Sequence, residues 1–212
     1  MQLRDDIKKY GRLIHEKNLT IGRSGNLSVK LDPDTFLINR AGANLSTLQE
    51  DELIFCNIFK DRWRGCDRPF IEYGFHRSIY LACPEAAAVI HSHPFHSTLI
   101  ASSGTTVHSD LFVESMAYVG KIARVAYFHA GGQPLAETVG EKAKESQVLL
   151  LDNHGVVVWG KNLEECLIKT ESLEFLCRMH LVAASAGIKL NYLGEGVMEG
   201  LQKHLKALSQ HA

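Results

Sequence analysis

The sequence holds no material for a disulfide framework. Its five cysteines, at 56, 66, 83, 166 and 177, are odd in number and scattered, with no CxxC pair, so a reducing cytoplasm is the expected compartment. Long apolar runs are also missing. None approaches the ~20 residues that cross a bilayer, and Met1–Tyr10 (MQLRDDIKKY) is charged where a secretory signal would be apolar. Nor is there an excess of charge: 23 Lys+Arg stand against 24 Asp+Glu, for a net charge of −1. Nucleic acids and membrane surfaces select a basic excess, so neither is an expected partner. No repeat, low-complexity tract or Pro/Ser-rich linker divides the chain. A single domain over residues 1–212 is therefore expected.

What the chain does have is histidine, 11 in all, several of them where apolar segments stop. Ile7, Tyr10, Leu13 and Ile14 predict a helix over 5–19. Asn26–Leu31 and Thr35–Asn39, joined by Asp32–Pro33–Asp34, read as a hairpin. Leu53–Phe59 reads as a strand and Lys60–Arg68 as a polar loop. Tyr73–Ala82 has a helical pattern, Ala86–Ile90 a buried-strand pattern, Asp110–Gly120 a helical one and Arg124–Phe128 that of a strand. Pro134 suits the first turn of a helix running to Ser146. Val148–Leu151 and Val156–Trp159 are strands on either side of Asp152–Asn153–His154–Gly155. Asn162 with Glu165 resembles a capping box opening a long helix to Ala186, stopped by Gly187. A last helix covers Glu195–Ser209. These elements predict an α/β fold with a mixed sheet and helices packed on it.

The densest chemical signal is Ile90–Thr98 (IHSHPFHST). In an extended backbone, residues i and i+2 point to the same side, so His91 and His93 can converge on one metal ion. Imidazole suits zinc and similar divalent ions, and a catalytic site commonly pairs three protein ligands with one open position. The alternative is a solvated strand rim. Val148–Leu151 leads in the same way to His154, which can complete a set of three, and Gly155 after it permits close approach. Glu72, just ahead of a helix, has three readings: a carboxylate favouring the helix N-terminus, a fourth ligand, or a general acid/base. Gly25–Asn26, entering a strand, is either a plain turn or a backbone cradle for an anion. His76 is expected in helix packing near the site, His96 just outside the metal ligands, His180 on the long helix, and His15, His129, His204 and His211 at the surface or termini. Cys83, Cys166 and Cys177 read as small core residues.

Taken in order, Gly25–Asn26–Leu27–Ser28, Glu72 with His76, His91-Ser-His93 with His96 and Thr98, and Asn153–His154–Gly155 resemble the class II aldolase/adducin family over roughly Ile7 to Ala186. The resemblance implies a three-layer α/β/α domain with a mainly antiparallel central sheet. It implies a homotetramer with its metal site near a subunit interface. It makes His91, His93 and His154 ligands of one divalent metal per chain, zinc before Mn, Co, Ni or Fe. Glu72 becomes the catalytic acid/base and an additional ligand when no substrate is bound. The implied activity is that of a lyase of aldehyde-lyase type, acting through an enediolate on a small sugar-phosphate-like or hydroxy/keto-acid substrate. Epimerisation or decarboxylation on the same site is the alternative, and a non-catalytic, adducin-like assembly domain is a further one.

The chain departs from the family pattern where that pattern binds phosphate. Phe70 and Ile71 stand where two hydroxyl residues usually precede the glutamate, and Ala41–Gly42 replaces a Thr–Gly pair. Asn26 and Gly42 are retained. Arg23 and Arg40 are expected to recognise an anionic group, a carboxylate or a phosphate, in this altered pocket, with Gly25, Asn26 and Gly42 lining it. Tyr118 and Tyr127 do not align with the family's proton-donating tyrosine, and Gly200–Ala212 supplies none.

Overall fold

The computed structural model describes residues 2–65 and 67–209, with the side chains of 195, 202, 206 and 209 aside. Cys66 and His211 lie outside the described residues. The chain begins with helix α1 (Gln2–Glu16), whose apolar residues Ile7, Tyr10 and Ile14 are buried at helical spacing. Asn18, at φ 56, turns the chain out of the helix. A hairpin follows, β1 (Asn26–Asp32) with β2 (Thr35–Asn39), and then β3 (Leu53–Asn57) and the two-residue β4 (Trp63–Arg64). Helix α2 (Tyr73–Ala82) leads to β5 (Ala88–Ser92), α3 (Phe95–Ala101) and β6 (Ile122–Val125). Helix α4 (Gln133–Ala143), β7 (Val148–Leu151) and β8 (Gly155–Gly160) precede the long α5 (Leu163–Ala186) and α6 (Glu195–Ser209).

The eight strands form one sheet in the order β4-β3-β2-β1-β5-β8-β7-β6. Every neighbouring pair is antiparallel except β6 with β7, which is parallel. Alternate residues of each strand serve opposite faces. On β7, Val148 and Leu150 join a buried cluster with α1 and α5, whereas Leu149 and Leu151 join another with α2 and α4. The mean apolar pattern of α5 is not confined to one stripe: Cys166, Leu173 and Cys177 are buried while Phe175 and Val182 on the same helix are exposed.

Several elements differ from the sequence reading for identifiable reasons. The first helix stops at Glu16, and β3 stops at Asn57 because the Asn57 side chain accepts from the backbone N–H of Phe59 and Lys60, an Asx turn. The expected polar loop contains β4, which pairs with Phe55 and Cys56. Over 110–120 only 113–119 is helical, most of it a π turn at Ser115–Val119. Ser115 Oγ there donates to backbone carbonyls and accepts from the Phe112 N–H, competing with helical bonding. The strand expected over 124–128 lies at Ile122–Val125. Pro94 stands at the entry to α3, a helix absent from the sequence reading. The capping box at Asn162 is half formed. Asn162 accepts from Glu165 N–H at 2.8 Å, but the Glu165 carboxylate reaches back to Lys161 N–H at 2.9 Å. Gly187, at φ 67, ends α5 in the left-handed conformation.

Candidate metal centre

Strand register brings the key residues together. Asn26 at the start of β1 lies opposite His91 on β5, and His91 lies opposite Val157 on β8. His91 is therefore inside the strand, one residue before its end, and His93 lies just beyond it. The turn 152–154 between β7 and β8 presents His154, with Asn153 at φ 55, a conformation asparagine tolerates better than most residues. Gly155 is required for a different reason from backbone freedom. A Cβ there would sit 2.6 Å from the Ser92 carbonyl oxygen and 2.9 Å from the His93 ring, so only hydrogen fits.

The three imidazoles face one another. Ring centroids of His91 and His93 are 4.6 Å apart, those of His91 and His154 4.8 Å, and those of His93 and His154 5.8 Å. One ligand atom from each of the three lies within 4.8 Å of the others. Glu72 stands at the entry to α2 and is 3% exposed, with no bond to the helix N–H groups. Its carboxylate turns to the histidines instead, Oε2 lying 3.2 Å from His91 Nε2 and Oε1 2.9 Å from His154 Nε2. Of the three sequence readings of Glu72, helix-terminus stabilisation is the one this orientation does not serve.

The protonation pattern at His91 is fixed by its neighbours. Its Nδ1 lies 2.9 Å from the Val156 carbonyl oxygen. A carbonyl only accepts, so Nδ1 carries a hydrogen, and in the neutral ring that metal ligation requires Nε2 offers its lone pair on the side of the Glu72 carboxylate. Glu72 Oε1, His91 Nε2 and His93 Nδ1 are buried without a hydrogen-bond partner. Converging lone pairs in a buried site repel unless a cation lies among them. Two ligand atoms ~2.0–2.1 Å from a tetrahedral ion are ~3.3 Å apart, close to the 2.9 and 3.2 Å that separate the Glu72 carboxylate from His154 and His91, while the ligand atoms of the three imidazoles lie within 4.8 Å of one another. The donor set thus fits a divalent ion held by His91, His93 and His154.

Electrostatics agree with that arrangement. Burial would raise the Glu72 carboxyl, but the His91 and His154 rings beside it outweigh burial and hold it well below the usual carboxylate range. Burial, followed by the neighbouring His91 and His154 rings, pushes His93 down to about 3, so it stays a neutral ligand at physiological pH. Burial likewise pushes the thiols of Cys56 and Cys177 up to about 12 and that of Cys83 to about 11. Cys83, Cys166 and Cys177 are free and buried, small core residues as expected.

The side expected from the sequence to take an anion is looser. Gly25, at φ 84, packs so closely that a Cβ would lie 3.0 Å from the His91 carbonyl oxygen, and Gly42 is at φ 73 with open space around it. Arg23 is exposed and donates to the Gly42 carbonyl at 3.4 Å. Arg40 is engaged by Glu52 at 2.8 Å and by the Ala41 carbonyl at 3.2 Å. Phe70 packs against the cluster beneath α2 and α4, while Ile71 is exposed beside Gly131.

Two histidines behave differently from the sequence reading. His96 bonds Glu174 on α5 at 2.7 Å, and that carboxylate also takes the backbone N–H groups of His96 and Ser97, so the ring helps seat α3 on α5. His76 is completely buried and hydrogen-bonded at both ring nitrogens, to Ser28 Oγ at 2.7 Å and to Asn26 Oδ1. Asn26 in turn donates to Glu72 Oε2 at 3.1 Å. The missed signal was the four-residue spacing of Glu72, His76 and Tyr80 opposite the two-residue spacing of Asn26 and Ser28.

Known proteins match this chain along nearly its whole length. Residues 5–181 match the family model described as Class II Aldolase and Adducin N-terminal domain. A 3-oxo-tetronate 4-phosphate decarboxylase of Haemophilus influenzae is 30% identical over 202 residues, 93% of this chain and 95% of that protein. An L-fuculose phosphate aldolase of Methanocaldococcus jannaschii is 30% identical over 174 residues, 82% of this chain and 93% of the relative. The solved structure of YgbL from Klebsiella pneumoniae, a candidate aldolase, epimerase or decarboxylase, superposes with a TM-score of 0.87 at 28% identity. It covers 94% of this chain and 97% of its own. The chain belongs to the class II aldolase and adducin family and is an enzyme of that superfamily.

Proposed function

We propose that the protein is a divalent-metal-dependent lyase that breaks a carbon–carbon bond beside a carbonyl in a small hydroxy- or keto-acid or sugar-phosphate substrate. The observation that carries this reading is the buried Glu72 carboxylate facing the lone-pair side of His91 and the His154 ring. In it, His91, His93 and His154 hold one metal ion per chain, with zinc first and Mn, Co, Ni or Fe as alternatives. A bound divalent ion supplies charge stabilisation for an oxygen that becomes negative as the bond breaks. Glu72 moves the proton: its carboxylate accepts one and returns it, at a position from which burial excludes bulk water. Gly25 and Gly42, with Arg23 and Arg40, form the end that takes the substrate's anionic group, while Asn26, expected there as well, is buried and gives its carboxamide to Glu72 and His76. The three-layer α/β/α stacking, supported by the two buried clusters on opposite faces of the sheet, and a single domain over 1–212 belong to this reading.

Decarboxylation of a 3-oxo acid is placed ahead of aldol cleavage, because the Haemophilus relative named as a 3-oxo-tetronate 4-phosphate decarboxylase aligns over nearly all of both chains. Epimerisation on the same residues is the rival activity. The relatives give no support to a non-catalytic, adducin-like assembly role. A homotetramer remains part of the proposal. Its support is an apolar groove of about 560 Å³ lined by Phe175, Met179, Val182, Ile188 and Leu190, with Phe95 and Leu99 exposed on α3. No described helix is long and apolar enough to cross a membrane, and a cytoplasmic location is retained from the cysteine usage. A panel of 3-oxo-tetronate 4-phosphate, L-fuculose phosphate, unphosphorylated sugars and β-keto acids, with zinc present and products identified, tests the reading. Release of carbon dioxide from the 3-oxo acid supports it. Aldehyde formation alone would reassign the reaction to aldol cleavage, and inversion of a carbinol centre without cleavage would make the enzyme an epimerase.

A further inference from the structure

Strand β1 and helix α2 meet along two polar stripes with matched pitch. Glu72, His76 and Tyr80 recur every four residues, and Asn26 and Ser28 every two. Four helical residues rise ~6 Å and two strand residues ~6.8 Å, so the stripes stay in step along their contact. All five side chains are at most 3% exposed. They form one connected chain: Tyr80 OH lies 2.7 Å from Ser28 Oγ, Ser28 Oγ 2.7 Å from His76 Nδ1, His76 Nε2 bonds Asn26 Oδ1, and Asn26 Nδ2 lies 3.1 Å from Glu72 Oε2.

The direction of every bond follows from the charge at one end. An ionised carboxylate only accepts, so Asn26 turns its NH₂ to Glu72 and its carbonyl oxygen to His76. That oxygen only accepts, so His76 Nε2 carries the hydrogen. Burial, with lesser help from His91, pushes His76 down to about 3 and keeps it neutral, which leaves Nδ1 as an acceptor. Ser28 therefore donates its single hydrogen to Nδ1, and Tyr80 donates to Ser28. Four donors point one way, toward the carboxylate. Phe75 fixes the ring in the middle, stacking on His76 at 4.9 Å and 16° while meeting the His91 ring edge-on at 5.4 Å and 80°.

We propose that His76, with Ser28 and Tyr80 behind it, is a positioning residue that acts through Asn26, holding the carboxamide in the one orientation that donates to Glu72 and so fixing the carboxylate opposite His91 and His154. This rests on the reading of Glu72 as the acid/base. Without the His76 donor, nothing distinguishes the two ends of the carboxamide from behind, and rotation about its last bond turns an oxygen onto the carboxylate. Glu72 then loses a donor and its fixed place, while His91 keeps its own support from the Val156 carbonyl.

Nitrogen-15 spectra of the full-length, zinc-loaded protein test this, with turnover measured on 3-oxo-tetronate 4-phosphate or on whichever compound of the panel reacts. His76 is expected as the Nε2–H tautomer, and the Asn26 carboxamide protons are expected to exchange slowly. In His76→Phe, zinc content stays at about one per chain, Asn26 loses its protection and kcat falls about 10- to 100-fold with KM within about twofold. His76→Gln, which keeps a donor and an acceptor, restores most of kcat. An Nδ1–H or doubly protonated His76, or unchanged Asn26 protection in His76→Phe, overturns the proposal. Should His76→Phe not fold, Tyr80→Phe removes the outermost donor, and unaltered exchange at Asn26 together with unaltered kcat counts against it equally. A Glu72→Gln variant that turns over normally sinks the acid/base reading instead, and the His76 tautomer is judged independently of that result.

Discussion

His91 has no exposed surface, its Nδ1 is tied to the Val156 carbonyl, and its ring is met edge-on by Phe75. Arg23, across the same site, lies in the open on a turn and reaches only the Gly42 carbonyl, at 3.4 Å. The two ends of the site are thus built to different tolerances. The proposed ligands and acid/base sit on or beside paired strands and a helix, where register fixes their positions. The groups proposed to take the substrate's anion sit on turns after Leu19 and Asn39, where sequence change is tolerated and geometry can adapt. A family can therefore keep one reaction centre and exchange its substrates, and the relatives' different activities fit that division.

The sharpest way to break this contrast is at the rigid end. His91→Ala is expected to reduce bound zinc from about one per chain to a small fraction, because only two imidazoles then remain to hold the ion. Turnover should fall with the metal. Elemental analysis of the purified variant checks it, and unchanged metal content would mean the ligands lie elsewhere. Glu72→Gln comes next. It keeps the size of the side chain, so metal is largely retained, while kcat falls about 10²- to 10⁴-fold, as expected for loss of a general acid/base.

Acid separates the two ends without mutation. His76 and His93, both pushed from 6.5 down to about 3, are neutral in the folded metal-free protein at pH values where the unfolded chain binds their protons. Folding stability is therefore fully present above pH 6.5 and declines as pH falls toward 3, by up to about 1.4 kcal/mol per pH unit for each group. Thermal melts of metal-free protein should show Tm dropping steadily between pH 6.5 and 5, and His76→Phe should lessen the slope. A flat Tm across that window would show that these rings are not held neutral by burial. Glu72 does not contribute there, because its carboxyl lies below the usual range and its stabilising charge is lost only at much lower pH.

The sequence spelled out the rigid end better than the network behind it. Apolar runs stopping at His91 and at His154 carry a plain signal, because period-two burial and strand ends are local properties. Helices with clean stops, such as α5 between Asn162 and Gly187, are equally legible. Strand order is not, since pairing β1 with β5 and β5 with β8 depends on contacts across 60 or so residues. Helix α3 was hidden by the histidines and proline at its start, and its first turn is completed from outside by Glu174. The role of His76 needed two stripes from different elements to be laid side by side, and a single chain read in order offers each stripe without its partner.

The smallest effects belong to the arginines, and they separate two residues that look equivalent in sequence. Arg40 spends its charge on Glu52, whose carboxylate is 2.8 Å away, and on the Ala41 carbonyl. Arg23 has only a long bond to Gly42 O, so its guanidinium is free to turn toward an anion without first breaking an ion pair. Arg23→Glu is expected to raise KM for an anionic substrate about tenfold, the equivalent of one charge-assisted hydrogen bond, with stability changed by no more than about 0.5 kcal/mol. Arg40→Gln should change KM by less than about threefold and cost at most about 1 kcal/mol, the usual worth of a partly exposed ion pair. Steady-state kinetics and denaturant melts on both variants decide it. If Arg40 carries the larger KM effect, the Glu52 pair opens to receive substrate, and the looser end of the site is an arranged switch instead of a free charge on a turn.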